Sequence, residues 1–366
     1  MSRIRVGLIG LSARAKTSWA SSAHLPYLQS SQNKYTITAL CNSSVDAAES
    51  AIQAYKLPAS TKAYGNPEDL ANDQEIDLIV CTTRVDVHYQ TIKPSLERGK
   101  DVYCEWPLAS TLTDAEELNA LARKSNAKTI IGLQGELSPI ILKVKSLIER
   151  ENRIGKVLSS SVIASEGTKA RDTLSEGLRY FTQKDVGGNL VTIGLGHMLD
   201  FVEFVLGELS ACNSQLDIQR RQVPILGRDG GVIETVTTDV ADHIMLQGKL
   251  YSGAPLSLTF RRGPPFKDTP GLIWSISGEK GEIRVTAAGS GLQAIYGGTI
   301  MVQDFATDEI EDIQWHGQFE DLPAPARNVA AMYEAFADKK TGLYQDFEHA
   351  VIRHRQIEDI LKGAGD

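Results

Sequence analysis

Over residues 3–130 the chain alternates short, almost uninterrupted apolar runs with longer amphipathic stretches. The runs are RIRVGLIG, YTITALC, DLIVCTT, DVYCEW and KTIIGLQ, with helical patterning between them around 47–55, from His88 and from Thr113. A strand that is apolar at successive positions is covered on both faces, and strands separated by helices cross over to pair in parallel. The alternation predicts an α/β domain, a doubly wound parallel sheet, over residues 1–135.

The grammar changes after Ser138-Pro139. A helical segment, IILKVKSLIER, leads into long alternating runs, VLSSSVIASE, TVTTDVADHIMLQGKL, PLSLTFRR and GLIWSISG, separated by Gly-Gly, Gly-Pro-Pro and Gly-Glu-Lys-Gly turns. That pattern predicts an α+β second domain over 136–366, an open and mostly antiparallel sheet, interrupted by one strong helix from about 188 to 206. Two helices between 324 and 361 are expected to pack back on the first domain. An open sheet would leave the aliphatic residues of TVTTDVADHIML and PLSLTF uncovered, so a homodimer or higher homo-oligomer is expected.

Composition narrows the partners. A net charge of −8 with lysine and arginine dispersed along the chain argues against nucleic acid or an anionic membrane and for a small molecule or a protein. The four cysteines show no CxxC spacing, so free thiols in a reducing compartment are expected, cytoplasm first and nucleus second. No His, Cys or carboxylate cluster has ligand spacing, so no metal is expected.

Four stretches carry chemistry. The first apolar run ends in Gly10-Leu11-Ser12-Ala13-Arg14-Ala15, a degenerate dinucleotide fingerprint in which Gly10, Ser12, Ala13 and Arg14 would face a pyrophosphate at a helix N-terminus; the alternative is a plain strand-to-helix turn. The second run ends in Cys41-Asn42-Ser43-Ser44, with no carboxylate to bond an adenosine ribose or repel a 2′-phosphate, which favours NADP over NAD. Thr83, Arg84 and His88 lie at the end of the run DLIVCTT and just beyond it, at the sheet edge where ligands dock, although a lone histidine there also suits a purely structural hydrogen bond. Finally, GGNLVTIGLGHMLD opens the strong helix: His197 can exchange a proton near neutrality, and Thr192 lies five residues before it, about 140° away around an ideal α-helix.

Taken together, GLIGLSARA, GKDVYCEWPLAS, IGKV at 154–157 and GGNLVTIGLGHMLD resemble the glucose-fructose oxidoreductase, inositol dehydrogenase and rhizopine-catabolism family, Gfo/Idh/MocA. The resemblance implies NAD(P) binding in the first domain and a sugar-like substrate and oligomer contacts in the second. It also implies a Glu-Lys-Pro tripeptide and a later Asp and His that move protons. Carried onto this chain, the glutamate is Glu105, the proline Pro107 and the histidine His197, while Trp106 stands at the lysine and Thr192 at the aspartate. An indole N–H cannot accept a proton at neutral pH, so Trp106 can line a cofactor or substrate but cannot shuttle.

Two readings of function follow. One is an NAD(P)-dependent oxidoreductase acting on a small hydroxyl- or carbonyl-bearing molecule, with His197 as proton shuttle and Tyr180, Lys184 or Lys169 replacing the lysine. The other rests on TIIGLQGELSPIILKVKSLI and DHIMLQGKL, which resemble the family branch of the fungal galactose-regulon repressor and imply a non-catalytic, cofactor-binding regulator with a protein partner.

Overall fold

The computed structural model describes residues 3–13, 19–166, 170–293 and 297–363. The chain divides into two compact units, residues 1–134, 185–188 and 319–355 forming the first, and 135–184, 189–318 and 356–366 the second.

The first unit is built from β1 (Ile4–Ile9), α1 (Leu25–Ser30), β2 (Tyr35–Cys41), α2 (Val45–Ala54), β3 (Lys62–Tyr64), α3 (Pro67–Asn72), β4 (Leu78–Cys81), α4 (His88–Glu97), β5 (Asp101–Glu105), α5 (Leu112–Ser125) and β6 (Thr129–Gly132). The strands lie in the order β3-β2-β1-β4-β5-β6 and every ladder is parallel. All four residues of β4 are buried, as are the last four of β1, so both faces of the central strands are covered. Helix starts are locally encoded: Ser44, Asn66 and Thr111 each accept a backbone N–H three residues ahead, capping α2, α3 and α5. The strand order reverses between β1 and β4, which opens a crevice at their carboxyl ends.

The second unit starts with α6 (Pro139–Glu149), β7 (Val157–Glu166) and the short β8 (Leu174–Ser175). It continues through α7 (Gly196–Leu206), β9 (Leu209–Asp217), β10 (Gln222–Leu226), β11 (Val232–Thr237), β12 (His243–Leu250), β13 (Pro255–Arg262), β14 (Leu272–Gly278), β15 (Gly281–Ala287), β16 (Thr299–Asp304) and β17 (Ile310–Ile313). Eight strands form one sheet, β17-β16-β15-β14-β7-β13-β12-β9, antiparallel except for the β13–β7 ladder, and β11-β10-β8 form a small second sheet. The expected single run TVTTDVADHIMLQGKL is in fact two strands in two sheets. Asp242 causes the break, its carboxylate accepting from the backbone N–H groups of Gln219 (2.8 Å) and Arg220 (3.0 Å) where a ladder would otherwise continue. One sheet face packs on α6 and α7 around Trp274, which is fully buried and donates its indole N–H to Ser160 Oγ at 2.9 Å.

The last segments are α8 (Ala324–Ala337), in the first unit, and α9 (Phe347–Gly363), which begins there. Tyr333 of α8 is fully buried against Tyr27, Tyr35 and Tyr103, and Tyr35 donates its hydroxyl to the Tyr333 carbonyl at 2.6 Å. Aromatic contacts of this kind contribute about 0.5–1.5 kcal/mol each beyond burial. No described helix is long and apolar enough to cross a membrane, and all four cysteines are free thiols.

Candidate cofactor and proton-transfer site

A cavity of ≈ 490 Å³ occupies the crevice where the strand order reverses. Ile9 and Gly10 at the end of β1, Cys41, Asn42 and Ser43 at the end of β2, Thr83 after β4, and Glu68 and Gln90 from the first turns of α3 and α4 contribute to its walls. Gly10 makes the close approach possible. It sits at φ +98°, where a side chain is strained, and a Cβ there would stand 2.9 Å from Thr82 Oγ1. Asn42 Nδ2 donates to the Leu11 carbonyl at 2.9 Å, tying the end of β2 to the loop after β1. These features suit a dinucleotide, whose phosphates need backbone at close range and whose ribose needs polar groups at the ends of β2 and β3.

Of the other residues expected to hold a cofactor, Ser12 accepts a hydrogen bond at its carbonyl from Tyr55 Oη (3.3 Å), and Ala13 is exposed beside it. Arg14 lies outside the described residues. Ser44 is the N-cap of α2. The Arg84 guanidinium turns to Asp86, with Nη2 and Oδ2 2.5 Å apart. His88 is buried between two backbone carbonyls. Its Nδ1 is 2.9 Å from the Pro107 carbonyl and its Nε2 2.9 Å from that of Thr83, which pins the turn after Trp106 to the end of β4. Cys81 and Cys104 bring their sulfurs to within 4.8 Å of this ring, with Cys104 Sγ 3.4 Å from Nδ1.

The Glu-Trp-Pro turn is built inward. The Glu105 carboxylate is 2.9 Å from His24 Nε2, and His24 Nδ1 is 2.8 Å from Tyr333 Oη, so this glutamate belongs to a buried polar chain. Gly132 lies flat against it, since a Cβ there would meet Glu105 Oε2 at 2.7 Å. Trp106 is 5% exposed and packs on His354 with ring centroids 4.7 Å apart. The family lysine position is thus filled by an aromatic pair, and burial pushes the His354 imidazole down to about 3. The first glycine of the GG pair also has a packing task. Gly187, at φ +80°, presses on Ser110, whose Cα would be 2.5 Å from a Cβ, and Ser110 Oγ donates to the Val186 carbonyl at 2.9 Å.

In the second unit, Leu190–Leu195 is a π-helix that runs into α7. Its i→i+5 bonding replaces the ideal α geometry that separated Thr192 from His197, and such turns recur at functional sites. Thr192 closes a capping box: Asn189 Oδ1 accepts from the backbone N–H of Val191 and Thr192, and Thr192 Oγ1 accepts from Asn189 N–H at 3.0 Å. His197 is buried in the first turn of α7. Tyr180 is half-buried in a 3₁₀ turn, edge-on to Phe181 at 4.9 Å. Lys184 is exposed, with its backbone N–H on Asp239, and Lys169 lies outside the described residues.

Glu68 escaped the sequence reading, which looked for a ribose carboxylate only at the end of β2. The signal was Asn66-Pro67-Glu68, an N-cap, a proline at the first helical position and an acid in the first turn, placed just after the short β3.

Comparison with known proteins agrees with this architecture. Residues 4–133 match the oxidoreductase family's NAD-binding Rossmann fold, and 139–287 match the Gal80p C-terminal domain. A dehydrogenase of Aspergillus oryzae, aclE, is 31% identical over 99% of this chain and 96% of its own length. The chain belongs to the Gfo/Idh/MocA oxidoreductase family. Within that family it is also 32% identical to the galactose/lactose metabolism regulatory protein GAL80 of Saccharomyces cerevisiae over 77% of this chain, spanning 66% of that protein. The crystal structure of a super-repressor mutant of Gal80p from the same yeast superposes with a TM-score of 0.88 at 26% identity, covering 99% of this chain and 97% of that one. A Gfo/Idh/MocA first domain and a Gal80p-like second domain therefore occur in one chain.

Proposed function

We propose that this protein is an NAD(P)-dependent oxidoreductase acting on a small hydroxyl- or carbonyl-bearing, sugar-like substrate. The observation that carries the reading is the cavity at the strand-order reversal, floored by Gly10 and walled by polar groups from three strand ends. The end-to-end sequence likeness to a dehydrogenase supports it. When bound, the nicotinamide ring gives or takes the hydride. The chain's own residues then have to move the hydroxyl proton. Trp106 can donate a hydrogen bond but accept no proton, which leaves His197 as the shuttle, with Tyr180 or Lys184 assisting.

Coenzyme choice is a contest between Ser43 and Ser44, whose hydroxyls can donate to a 2′-phosphate, and Glu68, whose charge repels one. Glu68→Gln should raise the affinity for NADP relative to NAD by roughly 3- to 10-fold, as one exposed like charge is worth about 1 kcal/mol. Titration of both coenzymes against both proteins checks this; an unchanged ratio would remove Glu68 from the discrimination.

The partner of the second unit's open sheet is proposed to be another copy of the chain. Ile163, Met245 and Met301 are 57%, 36% and 40% exposed on strands β7, β12 and β16 of that sheet. Sedimentation equilibrium at micromolar concentration should return a dimer or larger; a monomer rejects the assignment.

The experiment for the reaction is nicotinamide oxidation and reduction by the purified protein against sugars, polyols, ketones and imines. Turnover on any class supports the oxidoreductase reading. Tight coenzyme binding with no turnover favours a second reading, a cytoplasmic or nuclear regulator that holds a protein segment, which the Gal80p-like second domain and the buried Trp106 support.

A further inference from the structure

Along β13 the buried positions alternate as Leu256, Leu258, Phe260 and Arg262, so Arg262 faces the covered side of the sheet and is only 7% exposed. Phe260, two residues earlier on the same face, lies against Gly194 of the π-helix, where a Cβ would be 2.8 Å from the ring. Arg262 therefore sits one strand repeat, about 6.7 Å, beyond the segment that carries Thr192.

Among the described residues its guanidinium Nε and Nη2 are buried and meet no counter-charge or other acceptor. Asp242 and Asp172 favour its charge through space, but Asp242 is already committed: Oδ1 takes Gln219 N–H, while Oδ2 takes Arg220 N–H and faces Arg220 Nη1 at 3.6 Å. More cations surround the site. Arg261 directs Nη1 to the Arg262 carbonyl at 3.5 Å, and Arg220 repels both Arg261 and Arg262. Arg171 also repels Arg261, and its Cα would lie 2.8 Å from a Cβ on Gly263, a position that φ +93° keeps for glycine. A guanidinium stays charged, and a buried charge without a partner is strongly unfavourable. A planar fork flanked by further arginines is suited to a carboxylate or a phosphate.

We infer that this corner of the second unit binds the carboxylate or phosphate group of a small molecule, with Arg262 as its principal ligand and Arg261, Arg220 and Arg171 supplying field. The assignment holds whether or not the protein turns over a substrate.

The test is calorimetric titration and thermal unfolding of the full chain with inorganic phosphate or malonate, against sodium chloride at equal ionic strength. Both probes should bind saturably and raise the unfolding temperature by about 2 °C or more at high occupancy. Whichever binds more tightly identifies the ligand group as phosphate or carboxylate. Arg262→Met should weaken binding by roughly 10- to 100-fold and, without anion, unfold at the same or a higher temperature, because it removes an unpaired buried charge. Arg284→Gln, at a position with a 58% exposed side chain, should bind like the parent. If Arg262→Met does not fold, Arg262→Lys keeps the charge but not the fork, and should still bind more weakly. Indifference of the parent protein to both anions overturns the inference, as does undiminished binding by the Arg262 variants.

Discussion

Replacing His197 with alanine should lower nicotinamide turnover by roughly 10²- to 10⁴-fold, the usual loss when a general acid or base is removed. Hydride transfer to or from a secondary alcohol needs a group that exchanges the hydroxyl proton in step. With indole at position 106 and a capping hydroxyl at 192, His197 is the one ionisable side chain left at the three positions to which the family resemblance assigns proton transfer. Histidine is suited to the task because its ordinary titration range straddles neutrality. The loss should fall on kcat, with coenzyme affinity and unfolding temperature close to those of the parent. A merely structural histidine would lower the unfolding temperature and spare the rate per folded molecule. Parent-like kcat in His197→Ala would reject the shuttle and move the role to Tyr180 or Lys184.

Acid should destabilise the protein through His354. This imidazole titrates near 6.5 in an unfolded chain, while burial beside Trp106 pushes it down to about 3 in the fold. Between those values the unfolded state holds the extra proton, so stability is complete above pH 6.5 and falls as pH drops towards 3. The slope for one proton is about 1.4 kcal/mol per pH unit, or about 2–3 kcal/mol lost by pH 4.5. His354→Phe should abolish that part of the pH dependence. It should also be neutral or stabilising by about 1 kcal/mol at pH 7.5, because the buried Nε2 finds no hydrogen-bond partner among the described residues. Urea midpoints of both proteins at pH 7.5 and 4.5 measure the difference. Equal acid losses in the two would mean that His354 is protonated in the fold.

The parallel sheet was legible because its strands are apolar on both faces, and strands such as LIVC leave little other reading. The open antiparallel sheet was legible from alternation, with one error at TVTTDVADHIMLQGKL. There the period-two pattern runs on through Asp242, and what ends the ladder is a carboxylate bonded to Gln219 and Arg220, residues a local pattern does not see. The two π-helical segments, Ala20–His24 and Leu190–Leu195, have no periodicity of their own that a short stretch could reveal. At the candidate site, Gly10, Asn42, Ser43 and Thr83 line the cavity from strand ends that are readable in the sequence. Glu68 was missed because it enters from the helix after a three-residue strand. The partners of Glu105 were beyond reach for a different reason. His24 and Tyr333 approach it from opposite ends of the sequence, and no spacing rule connects them.

That last contact bears on how the molecule is made. The six-stranded sheet is complete once Gly132 has been synthesised, yet Tyr333, which holds its tyrosine cluster and the far side of His24, is 201 residues further on (333 − 132). At 5–20 residues per second the ribosome needs roughly 10–40 s to reach it. During that interval the nascent sheet carries an uncovered tyrosine surface and a glutamate–histidine pair lacking its cap. The parallel sheet, which emerges before the second unit, is thus among the last parts to be finished, and its exposure to chaperones is set by the speed of translation through the second unit.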